Sequence, residues 1–130
     1  MGKVKDWKIE ILNKLFADVQ GMGKVIAINL LSSVGIGQLV LIDKVVADAK
    51  AIKNLLTIIQ AVNSDADDFS ELEKSIKGKG FTQATSLINF AIQLKPDSRL
   101  MLESLLADDE GKKLLQKGTS ELLENYLYVR

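Results

Sequence analysis

Apolar residues recur at steps of three and four along most of this chain, and each such run predicts an amphipathic helix. Over residues 3–20 the apolar set is Val4, Trp7, Ile11, Leu12, Leu15, Phe16 and Val19, with Lys5, Asp6, Lys8, Glu10, Asn13, Lys14 and Asp18 on the other face. Glu10 and Lys14 stand one turn apart in the order that supports a helix by about 0.2–0.5 kcal/mol. Gly21-Met22-Gly23 then reads as a C-cap and turn. The longest regular pattern covers residues 38–63, where Ile42, Val45, Val46, Ala49, Ile52, Leu56, Ile59 and Val62 form one stripe. The stripe predicts a single helix of about 39 Å, buried through Ile52, Leu56 and Ile59 and exposed at Lys53 and Gln60.

Asp68 followed by Glu71 has the form of a capping box and opens a short helix over residues 69–77, which Gly78-Lys79-Gly80 ends. Periodicity resumes from Phe81 or Thr82 to Leu94. Lys95-Pro96-Asp97-Ser98 combines a stop with a start, because the residue before proline avoids the helical region and Asp97 or Ser98 can cap the next helix. Two short helices over residues 100–107 and 109–116 come next, with Gly118 as the stop of the second. A last helix opens at Thr119 or Ser120 and runs through Leu122, Leu123, Tyr126 and Leu127. No segment alternates with period two. The expectation is an all-α, single-domain bundle of about six to eight helices spanning residues 1–130, built around the long helix over 38–63.

One stretch departs from the amphipathic rule. Residues 25–42 carry no charge in 18 positions; 12 are apolar, and Asn29, Ser32, Ser33, Gly35, Gly37 and Gln38 interrupt them. The glycines around Ile36 predict a break between two helices, since each costs about 1 kcal/mol inside one. A spanning helix needs about 20 predominantly apolar residues, and a third of these are polar or glycine. The favoured reading is a buried central hairpin wrapped by the amphipathic helices, with Leu30 and Leu39 in the core. A partner-facing surface and a membrane-inserting hairpin held inside the bundle are the other two.

Composition narrows the chemistry. With 17 basic and 17 acidic residues the net charge is zero, and 47% apolar residues suffice for a packed core. The chain has no Cys and no His. Disulfide frameworks, thiolate metal sites, thiol nucleophiles and every triad or metal motif that needs histidine are therefore absent. Lack of cysteine fits a reducing cytoplasm, the expected location, and is merely allowed outside it. The first residues become amphipathic at once, unlike a secretory leader.

The remaining candidate sites have plainer explanations. Gly21-Met22-Gly23-Lys24 lacks the spacing of a phosphate-binding Walker loop, and Gly35-Ile36-Gly37 lacks a third glycine and a preceding strand. Asp65, Asp67 and Asp68 resemble the start of a calcium loop, but Ser70 and Ile76 occupy the places that need Gly and Glu. Asp108-Asp109-Glu110 with Lys112-Lys113 suits pairs at i,i+4 (Asp108 with Lys112, Asp109 with Lys113) on a helix whose dipole favours that order. The lysines at 3, 5 and 8, at 74, 77 and 79, and at 112, 113 and 117 interleave with acids, and Arg99 and Arg130 are the only arginines. Nucleic-acid binding usually shows a basic excess that this chain lacks. No Ser begins a Ser-x-x-Lys motif.

These observations name no catalytic, cofactor-binding or metal residue and no cofactor. The expected role is a non-enzymatic protein–protein interaction module: an adaptor, an inhibitor or immunity-type protein, or a small regulatory subunit. Its partner is another protein, a second copy of the chain included. The alternative is a membrane-active or lipid-binding helical bundle that uses residues 25–42.

Overall fold

The computed structural model describes residues 3–64, 69–78 and 84–129. Among them are eight α-helices and no strand: α1 (Lys3–Leu15), α2 (Met22–Ser33), α3 (Ile36–Val46), α4 (Ala49–Asn63), α5 (Ser70–Gly78), α6 (Ala84–Gln93), α7 (Pro96–Leu106) and α8 (Asp109–Val129). The expected all-α bundle is the fold. Asp68, the expected cap of α5, and the aspartates at 65 and 67 lie outside the described residues, as does Lys79.

The long central helix is a different one from that expected. The pattern over 38–63 is two helices, because Asp48 is extended (φ −134°, ψ 115°) and its carboxylate accepts the Lys50 N–H at 2.9 Å. That N-cap satisfies an end that a continuous helix would not have. The two halves also pack on different neighbours, α3 on α8 and α4 chiefly on α6 and α7. Their buried sets are Leu39, Ile42 and Val45 on α3, and Ala51, Ile52, Leu55, Ile58 and Ile59 on α4. Ile52 and Ile59 are buried and Lys53 and Gln60 exposed, as the pattern predicts, but Leu56 is only half-buried and Ala49 is exposed.

The centre of the bundle is α8, 21 residues or about 32 Å long, against which α1, α2, α3 and α7 all lie. Gly118 continues this helix instead of ending it. A Cβ there would overlap the Leu31 side chain and stand 3.4 Å from Leu12 Cδ2 and 3.5 Å from the Phe16 ring. The glycine lets three fully buried side chains of α1, its following turn and α2 approach the α8 backbone. The tight corner between α7 and α8 depends on Gly111, where a Cβ would fall 2.7 Å from Leu105 Cα.

The uncharged stretch does break at Val34–Gly35, and Leu30 and Leu39 are fully buried. Its arms do not form a hairpin packed on itself; each packs on α8. Helix α1 ends at Leu15 and passes into a turn that buries Phe16. Gly21 belongs to the next element, at the N-cap of α2 with φ +104°, a conformation that favours glycine. Helix α7 begins at Pro96, its N1 residue, so neither Asp97 nor Ser98 is its cap; extended Lys95 holds that position without a side-chain hydrogen bond.

Candidate functional site

Burial accounts for only part of the charge-free stretch. Within residues 25–42, Val25, Asn29, Ser33, Gly35, Gly37 and Val40 stand exposed, although exposed positions elsewhere on the chain are rich in Lys, Asp and Glu. Met22, just ahead of the stretch, is 71% exposed. An uncharged solvent face therefore runs along α2 and α3.

At its α3 end this face opens into two adjoining clefts. The larger, of about 390 Å³, lies between α3 and α6 and is lined by Gly37, Gln38, Leu41, Ser86, Asn89, Phe90 and Gln93. The smaller, of about 100 Å³, is lined by Ser33, Val34, Gln38, Gln93, Leu94, Lys95 and Ser98. Gln38 and Gln93 line both, so the two form one surface in which Lys95 is the sole charged lining residue. Helical spacing brings this set together: Gln38 and Leu41 are three apart on α3, and Ser86, Asn89 and Gln93 are three and four apart on α6. Gln38 is further fixed as the N3 residue of α3, where its Oε1 accepts the Gly35 N–H at 3.1 Å. The carboxamides offer both donors and acceptors, so the surface suits neutral, hydrogen-bonding partners.

Several of the charged groups singled out in the sequence are engaged structurally. Asp108 accepts the Gly111 N–H at 3.1 Å and so caps α8. The lysine pairings are displaced by one residue from those expected, to Asp109–Lys112 at 3.3 Å and Glu110–Lys113 at 3.9 Å, both at i,i+3. Asp108, turned to the main chain as the cap, leaves Lys112 to Asp109. Glu10–Lys14 forms as expected at 3.8 Å, and Lys77 pairs with Glu73 at 3.8 Å. Lys8 donates to the Val34 carbonyl at the end of α2. Among the described residues no group of three His, Cys, Asp or Glu could hold a metal ion.

Two polar clusters escaped the sequence pattern. Fully buried Thr119 places its hydroxyl 3.0 Å from Asp43 Oδ1 and 2.9 Å from the Leu115 carbonyl, with Ser120 3.4 Å from the same carboxylate oxygen. This fastens α3 to α8. Arg99 donates through Nε to Asn63 Oδ1 at 2.9 Å and through Nη1 to the carbonyls of Ala91 and Leu94 at 3.2 and 2.7 Å. It closes the C-terminal end of α6 and ties it to the end of α4. Neither cluster has a sequence signal, since their members lie 76 and 36 residues apart.

No helix among the described residues is long and apolar enough to cross a membrane. No protein family matches the chain, and no curated protein or solved structure matches it significantly.

Proposed function

We propose that this protein is a non-enzymatic, cytoplasmic protein–protein interaction module (an adaptor, an inhibitor or immunity-type protein, or a small regulatory subunit) that engages its partner through the uncharged face of α2, α3 and α6. The observation that carries the reading is the exposure of Val25, Asn29, Ser33, Gly35, Gly37 and Val40 within a stretch that has no charge. Charged residues are depleted at the centres of protein interfaces, where an unpaired charge would be desolvated at a cost. The adjoining carboxamide-lined clefts extend the same chemistry onto α6.

The test is to capture a partner from the native host, then to measure its affinity for the isolated chain and for an Asn29→Lys/Val40→Lys variant. The variant should keep the wild-type melting temperature and lose the partner. Undiminished binding would remove the uncharged face from the interaction. Release of a vesicle-trapped dye by the wild type, but not by the variant, would favour the membrane-active alternative.

A further inference from the structure

Resting on that interaction reading, we propose that the smaller cleft receives the terminal carboxylate of a partner polypeptide, whose last residues lie along the neutral cleft between α3 and α6. The starting point is Ser98. It is only 7% exposed, its hydroxyl makes no hydrogen bond among the described residues, and it stands in the wall of the smaller cleft. Buried hydroxyls are normally bonded. No buried side-chain atom among the described residues lacks a partner while sealed from solvent, so the Ser98 hydroxyl opens onto the cleft.

The cleft also gathers several donors around it. Ser98 is the N3 residue of α7, an 11-residue helix with no side-chain cap. The first N–H groups of a helix have no intrahelical partner and carry its positive end. Pro96 has none to offer, and Ser98, in the cleft wall, contributes one. The Gln38 carboxamide uses its oxygen on Gly35, so its NH₂ is what it can present. Lys95 supplies one positive charge at the rim. Donors beside the Lys95 ammonium suit an oxyanion, while the neighbouring cations of Lys8 and Arg99 are engaged by the Val34 and Leu94 carbonyls of the cleft wall. A carboxylate, with a single negative charge, matches the Lys95 ammonium. The volume of about 100 Å³ admits a carboxylate.

The adjoining cleft selects the source of that carboxylate. Asn89 and Gln93 present carboxamides, and Gln38 its NH₂, beside Leu41 and Phe90, with no charge. A carboxamide pairs its donor and acceptor with those of a peptide group. Capture of a chain terminus by free main-chain N–H groups is an established mode of peptide recognition.

The experiment selects short random peptides, displayed with a free C-terminus, on the 130-residue chain, with Lys95→Gln as counter-selection. The enriched sequence is synthesised as the acid and as the C-terminal amide, and affinities are read by fluorescence polarisation. The acid should bind at least about tenfold more tightly than the amide, as charge-assisted hydrogen bonds imply. Ser98→Ala should weaken the acid several-fold while melting no lower than wild type, because the hydroxyl makes no bond in the free protein. A lowered melting temperature with unchanged affinity would make Ser98 structural and overturn the proposal. Equal binding of acid and amide would overturn the carboxylate anchor and leave the interaction reading standing. Competition by inorganic phosphate, but not by acetate, would reassign the cleft to phosphate. If no peptide is enriched, the proposal fails, and the Asn29→Lys/Val40→Lys measurement decides the broader reading separately.

Discussion

Leu55 and Leu56 are neighbours with the same side chain and different surroundings. Leu55 is fully buried between α4 and its partners, whereas Leu56 lies at the edge of the cluster, half-buried. Removing a buried leucine side chain loses its transfer free energy and leaves a cavity, about 2–5 kcal/mol together. Leu55→Ala should fall in that range by urea denaturation. Leu56→Ala should cost clearly less, and Lys53→Ala should lie within about 0.5 kcal/mol of wild type. The reverse order at the two leucines would mean that α4 is rotated relative to its neighbours. The three/four spacing alone allows Leu55 or Leu56 at this turn, since a wide apolar stripe takes both. Which one faces inward depends on the entry of α4 at Asp48, and that cap can be read as a cap only when the helix is known to break there.

At the scale of elements, local chemistry was legible and continuity was not. Pro96, the glycines near Ile36 and the apolar periodicity all mark real helices or real breaks. The errors at Asp48 and Gly118 have one cause. A glycine or an aspartate is ambiguous between ending a helix and serving within or before one, and tertiary packing decides. Gly118 stays helical because Leu12, Phe16 and Leu31 need the space that a side chain would fill. Arg99 shows a second limit, in that a single side chain holds three elements and no periodicity announces it. Its hydrogen bonds to Asn63, Ala91 and Leu94 satisfy the end of α6. Arg99→Ala would leave part-buried carbonyls without their donor, and bonds from a charged group contribute about 1.5–3 kcal/mol. Thermal denaturation should show a loss of that order. Arg99→Lys should recover little of it, because one ammonium cannot reproduce the planar fork. Full recovery by lysine would mean that charge, not geometry, holds the junction.

For the whole molecule, the uncharged stretch joins stability to function, and adjacent residues separate the two. Leu30 is fully buried in α2, against a core that includes Leu31 and Leu12, while Asn29 is exposed one position earlier. The candidate clefts were out of reach of the sequence because their walls come from α2, α3, α6 and α7, which the periodicity cannot place side by side. The absence of charge over residues 25–42 was visible, but its division between core and surface required the fold. Lysine at Leu30 would bury an unpaired charge, at several kcal/mol even after relaxation. Domains of this kind hold only about 5–15 kcal/mol in total, so Leu30→Lys should abolish cooperative unfolding or cause aggregation. Asn29→Lys adds the same charge in water and should unfold at the wild-type temperature. Circular dichroism melts of the two variants give the comparison directly. A folded Leu30→Lys protein with unchanged melting temperature would show that α2 does not pack on α8. With Leu30→Lys unfolded and Asn29→Lys intact, any loss of partner binding in the second variant belongs to the surface alone, which is the separation that the functional proposal requires.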